Sequence, residues 1–386
     1  MHICVIYDCL FPWTVGGAEK WYRNLAERLA AEGHEVTYLT LTQWDADDAP
    51  DLPGVTVVPV GPRMELYVGD RRKVGPPLRF GLGVFAHLLR HGRRYDVVHT
   101  ASFPYFSLLA AAVARPLGRF RISCDWHEVW SRHYWLEYLG GLGGRIGWTV
   151  QRLCAWTPQR AYAFSRLHAG RLRELGLRGD VTVLTGEYAG SLEPPVATPP
   201  ATPPTVVYAG RMIPEKRVPL VVDAVAAARE RIPGLRARIF GAGPEAEQVT
   251  ARIAELGLED AVEQPGFVAA ETVDEAMRTA LCVVQPSARE GYGMVVVEAS
   301  AHGVPAVVVA GEDNAAVELV DEGENGFVAP EATGTAIADA IVRCHEQGEA
   351  LRAGTRAWFA ANADRLSLDG SLRTVAAGYA EPSARS

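Results

Sequence analysis

The sequence predicts an α/β protein of two domains in tandem, each a parallel sheet wrapped by helices. Three observations point there. Short apolar runs alternate with stretches of helical periodicity, the pattern of strands joined by crossover helices. The alternation breaks once, at the proline-dense SLEPPVATPPATPP, and then starts again. The chain has 386 residues, more than one core ordinarily serves. The expected divisions are residues 1–190, a linker at 191–204, a second domain at 205–365, and a helical piece at 366–386. That last piece has no strand of its own and is expected to cross back onto the first domain.

In the first domain HICVIYD is short, apolar and β-branched, and reads as the opening strand. GAEKWYRNLAERLAAEG follows as an amphipathic helix closed by glycine. EVTYLTL, VTVVPV, DVVHTA, RISCDW, YAFS and VTVLT supply further strands, many separated by helical stretches. Proline as dense as that of residues 191–204 fits neither a helix nor a central strand and reads as a stiff linker. Beyond it TVVYAG, ARIFGAG, AVEQPGFV, LCVVQPS, PAVVVA and GFVAP repeat the plan. Open parallel sheets bind ligands beyond the carboxyl ends of their strands. Two such domains facing each other are expected to form a cleft lined by the residues that follow the strands.

Apolar residues make up 48 % of the chain and charged residues 22 %, ordinary for a soluble globular protein. Apolar runs such as FSLLAAAVA are about half the length of a membrane span. The start lacks the basic-then-apolar layout of a secretory leader. Six cysteines (Cys4, Cys9, Cys124, Cys154, Cys282, Cys344) include no C-x-x-C pair and lie mostly among apolar neighbours. They read as reduced core thiols, not as a disulfide framework or a metal site, which points to the cytoplasm.

The net charge of −8 is uneven. Residues 1–200 carry 22 Lys+Arg against 19 Asp+Glu, and residues 201–386 carry 16 against 27, a balance that excludes a general nucleic-acid binder. One basic concentration runs from Arg71 to Arg94, with seven Lys and Arg and no acid. Its plain reading is a solvated helix face. Its functional reading is a peripheral contact with an anionic membrane surface, on the inner face of the membrane, or with an acidic acceptor. Of 38 basic residues only Lys20, Lys73 and Lys216 are lysines, so each marks a compact ammonium in a chain that otherwise prefers guanidinium.

Four motifs follow strands. Gly16 and Gly17, between the first strand and the first helix, would let backbone N–H groups approach a phosphate at the positive helix end. A tight turn alone would explain them too. YAGRMIPEKRV sets Arg211 and Lys216 five residues apart at a helix start, where both cations could reach one diphosphate. IFGAGPEAE places Gly241 and Gly243 where a nucleotide could enter. Finally, REGYGMVVVEAS puts Glu290 at the end of a strand and Glu298 two turns into a helix, with Gly291 and Gly293 baring the helix-end amides.

Together these stretches resemble glycosyltransferase family 4, retaining enzymes of the two-Rossmann-domain architecture called GT-B. The resemblance is carried by GGAE at residues 16–19, GRMIPEK at 210–216, GAGP at 241–244, and the E-x7-E of Glu290 and Glu298. EASAHGVPAVV and ENGFVAP complete it. It covers nearly the whole chain, most specifically in the second domain. It implies transfer of a hexose-type sugar from a nucleoside-diphosphate sugar, UDP-linked by preference or GDP-linked. The acceptor would be a small molecule, a saccharide or a lipid-linked compound. The donor is a substrate, so no cofactor or metal is implied.

By the same resemblance Glu298 would hold the ribose hydroxyls and Glu290 the donor sugar. Arg211 and Lys216 would neutralise the leaving diphosphate, assisted by backbone amides around Gly291, Tyr292, Gly293 and Met294. The family also places a histidine near the sugar. Here CDWHEVW supplies His127, with Asp125 and Glu128 beside it, and His99 is a second candidate at an expected strand end.

Two loops depart from the family's usual pattern. TGEYAG follows VTVL in place of an asparagine-glycine turn, and GEDNAA replaces the usual glycine pair after PAVVVA. The aromatic run Trp130, Tyr134, Trp135 and Tyr138 suits either an acceptor surface or the packing of a helix. Three alternatives are weaker. WDADD contains the Asp-x-Asp of metal-dependent transferases but reads as a solvated loop. A non-catalytic nucleotide-sugar-binding or partner protein would not need both acid and cation pairs. A dehydrogenase would need a G-x-G-x-x-G that the chain lacks.

Overall fold

A computed structural model describes residues 1–45, 47–68 and 71–380, without the side chains of residues 67, 68, 71 and 72. The chain divides into two compact units, 1–185 with 371–386, and 186–370. The proline-rich segment expected as the linker therefore belongs to the second unit. It carries no regular secondary structure and is held there by Arg352, whose Nη2 donates to the Thr198 carbonyl at 2.9 Å.

The first unit is built on a seven-stranded parallel sheet. Its strands are β1 (His2–Ile6), β2 (Glu35–Leu41), β3 (Val55–Gly61), β6 (Val97–Ala101), β7 (Arg121–Trp126), β8 (Arg160–Ala163) and β9 (Val181–Val183). They lie in the order β3-β2-β1-β6-β7-β8-β9. A short antiparallel pair, β4 (Tyr67–Val68) and β5 (Arg71–Arg72), stands apart. Helices α1 (Gly17–Ala31), α2 (Gly75–His91), α3 (Phe106–Gly118), α4 (Arg132–Ala155) and α5 (Arg166–Glu174) connect the strands. β1, β2 and β6 are buried nearly throughout, which is why they read as continuous apolar runs and not as alternating ones. The strand expected from YAFS sits two residues earlier, because Ser165 instead caps α5, its hydroxyl accepting the His168 N–H at 3.2 Å.

The second unit has a six-stranded parallel sheet in the order β12-β11-β10-β13-β15-β17. Its strands are β10 (Thr205–Ala209), β11 (Arg236–Phe240), β12 (Val262–Gly266), β13 (Cys282–Gln285), β15 (Ala306–Val309) and β17 (Gly326–Ala329). A two-residue parallel pair, β14 (Arg289–Glu290) and β16 (Asp313–Asn314), forms a separate small sheet. The helices are α6 (Pro219–Arg229), α7 (Ala246–Glu255), α8 (Ala270–Arg278), α9 (Met294–Ala301) and α10 (Gly334–Leu366). α10 is broken at Gly348, where φ is 50°. Its first half packs into a core with Val206, Val222, Ile239, Val307 and Phe327.

The last helix, α11 (Leu368–Ala380), begins in the second unit and from Ser371 belongs to the first. In the first unit the Tyr162 hydroxyl donates to the Val375 carbonyl at 3.4 Å. Gly378 is required there, since a Cβ would run into the Tyr162 hydroxyl and Arg160.

Candidate active site

The strand order of the second sheet has one switch point. From β10 the chain proceeds outward to β11 and β12, and from β13 in the other direction to β15 and β17. Loops after β10 and β13 therefore leave on opposite sides, and a crevice forms where ligands of such sheets bind. Lys216 lies in the loop after β10 and Glu290 in the loop after β13. Their side chains meet across that point in an ion pair between Nζ and Oε1. Glu290 Oε1 also accepts Gln285 Nε2 and Ser287 Oγ, each at 2.9 Å. Among the described residues every hydrogen bond to this carboxylate falls on Oε1. No sequence motif marks Gln285, Ser287 or Asn314 as site residues. Their signal was position, at or just beyond strand ends.

Local structure explains the aim of both groups. Lys216 ends a single 3-10 turn, Pro214–Lys216, closed by Arg217 in the left-handed region at φ 50°. Across the crevice the Ala288 N–H donates to the Glu215 carbonyl at 2.8 Å, and Arg289 faces the Glu215 carboxylate at 3.7 Å. Asn314 is buried and pins the Glu290 loop. Its Nδ2 donates to the Val309 carbonyl at 2.8 Å and the Ser287 carbonyl at 3.2 Å, while its Oδ1 accepts the Ala316 N–H at 3.1 Å. This asparagine stands within GEDNAA, one of the two loops that departs from the family pattern.

Other expected residues fall differently. Arg211 is exposed and, among the described residues, has no hydrogen bond or ion pair with Lys216 or Glu290; its carbonyl accepts the Tyr208 hydroxyl at 3.0 Å. Gly241 and Gly243 have φ of 128° and 154°, and a Cβ on them would strike the carbonyls of Gly210 and Met212. Their immediate purpose is to let the loop after β11 lie against the loop that carries Arg211 and Lys216, fastened by Met212 N–H to Ala242 at 2.9 Å.

Gly293, at φ 109°, caps α9 where a side chain would collide with Ala316. Gly291 precedes it. The Tyr292 side chain belongs to the core with Val296, Ala316 and Phe359, and the partly buried Met294 packs against the same cluster. Burial, then Glu187, pushes the Tyr292 hydroxyl well up. Glu298 is half-buried on α9 and, after burial itself, is the main group raising the pKa of Tyr188.

The first unit contains a second cluster, beneath α1 and α11. His99 lies in mid-strand, not at a strand end as expected, and is fully buried. Its Nε2 contacts Asp125 Oδ2 at 2.8 Å and its Nδ1 contacts the Tyr379 hydroxyl at 2.5 Å. Asp125 Oδ2 also accepts Trp21 Nε1–H at 2.6 Å. Burial works to raise the Asp125 pKa, but the charge and hydrogen bond of His99, then His127 and Trp21, outweigh it and hold the carboxyl below its ordinary value.

His127, two residues on, is only partly buried. Its ring stacks on Phe164 at 4.2 Å and meets the edges of Trp21 at 6.4 Å and Tyr22 at 6.1 Å. Glu128 accepts the Trp130 indole N–H at 2.7 Å.

At the start of α1, Gly17 has open space around it, whereas a Cβ on Gly16 would meet the Glu19 carboxylate. The positive helix end is thus already furnished with an acid of its own, which weakens the phosphate reading of this turn. Trp130 packs on Trp135 at 4.6 Å and on Tyr138 at 5.1 Å, and buried Gln151 accepts from the Trp130 backbone and the Trp135 indole, so the run takes part in helix packing. In WDADD, Asp45 pairs with Arg63 at 2.9 Å and Asp48 accepts Trp13 Nε1–H at 2.6 Å; Ala46 lies outside the described residues. Among the described residues no three His, Cys, Asp or Glu side chains gather as a metal site would require.

Two family models match the chain. Glycosyltransferase Family 4 matches residues 15–186 and Glycosyl transferases group 1 matches residues 192–358. An exopolysaccharide phosphotransferase of Streptomyces coelicolor is 35 % identical over 142 residues, which is 36 % of this chain and 14 % of the relative. A GDP-mannose-dependent α-(1-6)-phosphatidylinositol monomannoside mannosyltransferase of Mycolicibacterium smegmatis is 28 % identical over 273 residues, 60 % of this chain and 70 % of the relative. The first three curated relatives are matched over only 14 %, 50 % and 43 % of their own lengths.

Among solved structures, a sucrose-phosphate synthase of Thermosynechococcus elongatus superposes with a TM-score of 0.78 at 20 % identity, over 98 % of both chains. Anabaena HepE in complex with UDP-glucose superposes at 0.70 and 19 % identity, over 98 % of this chain and 99 % of that one. These likenesses establish the fold.

Proposed function

The chain belongs to glycosyltransferase family 4, with the paired parallel-sheet units of the GT-B architecture, and on that premise we propose that it is a retaining hexosyltransferase. The donor is a nucleoside-diphosphate sugar, UDP-linked first and GDP-linked second. Both have support in the relatives: a structural neighbour carries UDP-glucose and a curated relative is named for GDP-mannose. The acceptor supplies a hydroxyl. The observation that carries this reading is the Lys216–Glu290 pair astride the switch point of the second sheet.

In this reading Glu290 binds hydroxyls of the donor sugar through Oε2. Lys216, paired with Glu290, and the exposed Arg211 take the charge that develops on the departing diphosphate. A preorganised cation in such a place stabilises the transition state electrostatically and needs no metal to do so. Glu298 holds the ribose. Amides from Gly291 to Met294 and the loop of Gly241 and Gly243 border the phosphates. His127 is a further proposed catalytic residue, as the family resemblance implies. Six cysteines, all unpaired and buried, suit a reducing compartment and hence the cytoplasm.

The test is a thermal-shift panel of UDP, GDP, ADP and TDP, then of their sugars, since a ligand bound only by the native state raises its stability. Transfer by the purified protein is then followed by NMR of the product. Net retention of anomeric configuration is expected, with turnover unchanged in EDTA. Inversion, or a requirement for a divalent ion, would refute the mechanism.

A further inference from the structure

We infer that the outer face of α2 and α3 is a docking surface for an anionic lipid bilayer. Leu78, Leu82 and Leu89 of α2, Val113 and Leu117 of α3, and Val74 just ahead of α2 are 44 to 65 % exposed. Positions 78, 82 and 89 share one stripe of α2, and 113 and 117 share one stripe of α3. The two helices lie side by side. Gly81 has no room for a Cβ against Phe106 at the start of α3, and at the other end Gly92 and Gly118 both abut Phe120. Two apolar stripes on touching helices make a patch, which is different from leucines scattered singly over a surface.

The charge around the patch is one-sided. From Lys73 to Arg121 the chain has eight Lys and Arg and a single acid, Asp96, although the whole protein carries −8. Arginines line two hollows, one bordering the α2 stripe at Leu82 and one at the end of α3 by Gly118. One, of about 350 Å³, is bordered by Arg79, Leu82, His87 and Arg90. The other, of about 580 Å³, is bordered by Arg93, Arg119 and Arg121 together with Asp96, whose Oδ2 is already engaged by the His2 N–H at 2.8 Å. The side chains of Arg71 and Arg72 lie outside the described residues and are not needed for this surface.

A bilayer matches both features at once: hydrocarbon for the leucines and valines, and phosphate for guanidiniums whose long stems reach the headgroup level. A second copy of the chain matches poorly, because a two-fold contact would set these arginines against themselves. Among the described residues no helix is long and apolar enough to cross a membrane. This inference stands apart from the transfer reading, and vesicle binding is measured without donor or acceptor.

The experiment is co-sedimentation of the full-length protein with vesicles of phosphatidylcholine alone, or with roughly a third phosphatidylglycerol. Wild type is expected to pellet with the anionic vesicles, less so as salt rises, and to stay in solution with the neutral ones. Leu82→Asp combined with Val113→Asp should lower partitioning at least about tenfold. Arg90→Ala and Arg119→Ala should each lower it about fivefold. All these positions are exposed, so the thermal midpoint should hold. The inference is overturned if wild type ignores anionic vesicles, binds neutral ones equally, or keeps its partitioning in the Leu82/Val113 variant. It is also overturned if sedimentation velocity shows a dimer that Leu82→Asp dissolves.

Discussion

Glu290 Oε1 receives three donors, and Lys216 is the only charged one. Replacing Lys216 removes a cation from the proposed diphosphate and also one of the three donors that hold Glu290. Lys216→Ala is therefore expected to lower kcat about 10²–10³-fold, the cost of one oxyanion-type donor. Lys216→Arg should not restore the rate, because a planar fork cannot replace a point charge so tightly enclosed. Steady-state kinetics on the donor found by the nucleotide panel checks both variants, and near-wild-type rates would remove Lys216 from the site. In the first unit, the Asp125 carboxyl has a folded pKa below its unfolded one. Its ionised form thus adds stability that is complete above about pH 4 and is lost as pH falls through the folded value. Asp125→Asn should lower the thermal midpoint at neutral pH and flatten its decline below about pH 4. An unchanged acid profile would mean that the His99 contact does not hold the charge.

Among the connecting elements, two glycines that look alike in the sequence behave differently. Gly241 has a positive φ and a neighbour's carbonyl where its Cβ would be, whereas Gly17 has open space on a helix. Gly241→Ala should cost about 1–3 kcal/mol from backbone strain, before the collision with Gly210 is added. That corresponds to a drop of roughly 2–4 °C in midpoint for each kcal/mol. Gly17→Ala should leave stability unchanged or raised by up to about 1 kcal/mol. It is the informative variant: a loss of activity without loss of fold would show that a ligand approaches that turn, and retained activity would leave it a turn. Calorimetry and turnover measured on the same samples decide between the two.

For the whole molecule, the consequence of the last helix is that the first unit is discontinuous in sequence. The Tyr379 hydroxyl hydrogen-bonds His99 Nδ1, and Val375 accepts from Tyr162, so the sheet face that holds Asp125 depends on residues near the end of the chain. Truncation after Gly370 should destabilise the first unit by uncovering a buried polar seam. The second unit, with its own core, should still bind nucleotide. Calorimetry is expected to show one transition lowered and one still raised by UDP or GDP. Equal loss of both transitions would show that the units do not melt separately.

Much was legible in the sequence because its signals are local. Strand and helix periodicity, the restart of the pattern after residue 204, and the strand-end placing of Lys216 and Glu290 all follow from the covalent order of residues. Burial on both sheet faces makes those runs apolar whatever packs on them. Only the tertiary structure decided which residues meet. It showed that Glu290 is held by Gln285 and Ser287 as well as by Lys216, and that Gly241 and Gly243 serve loop against loop. It also showed that Tyr292 faces a core and that Tyr379, 280 residues away in the chain, completes the setting of His99. Such pairings depend on strand order, helix rotation and the return of the last helix, and none of these leaves a periodicity in the chain.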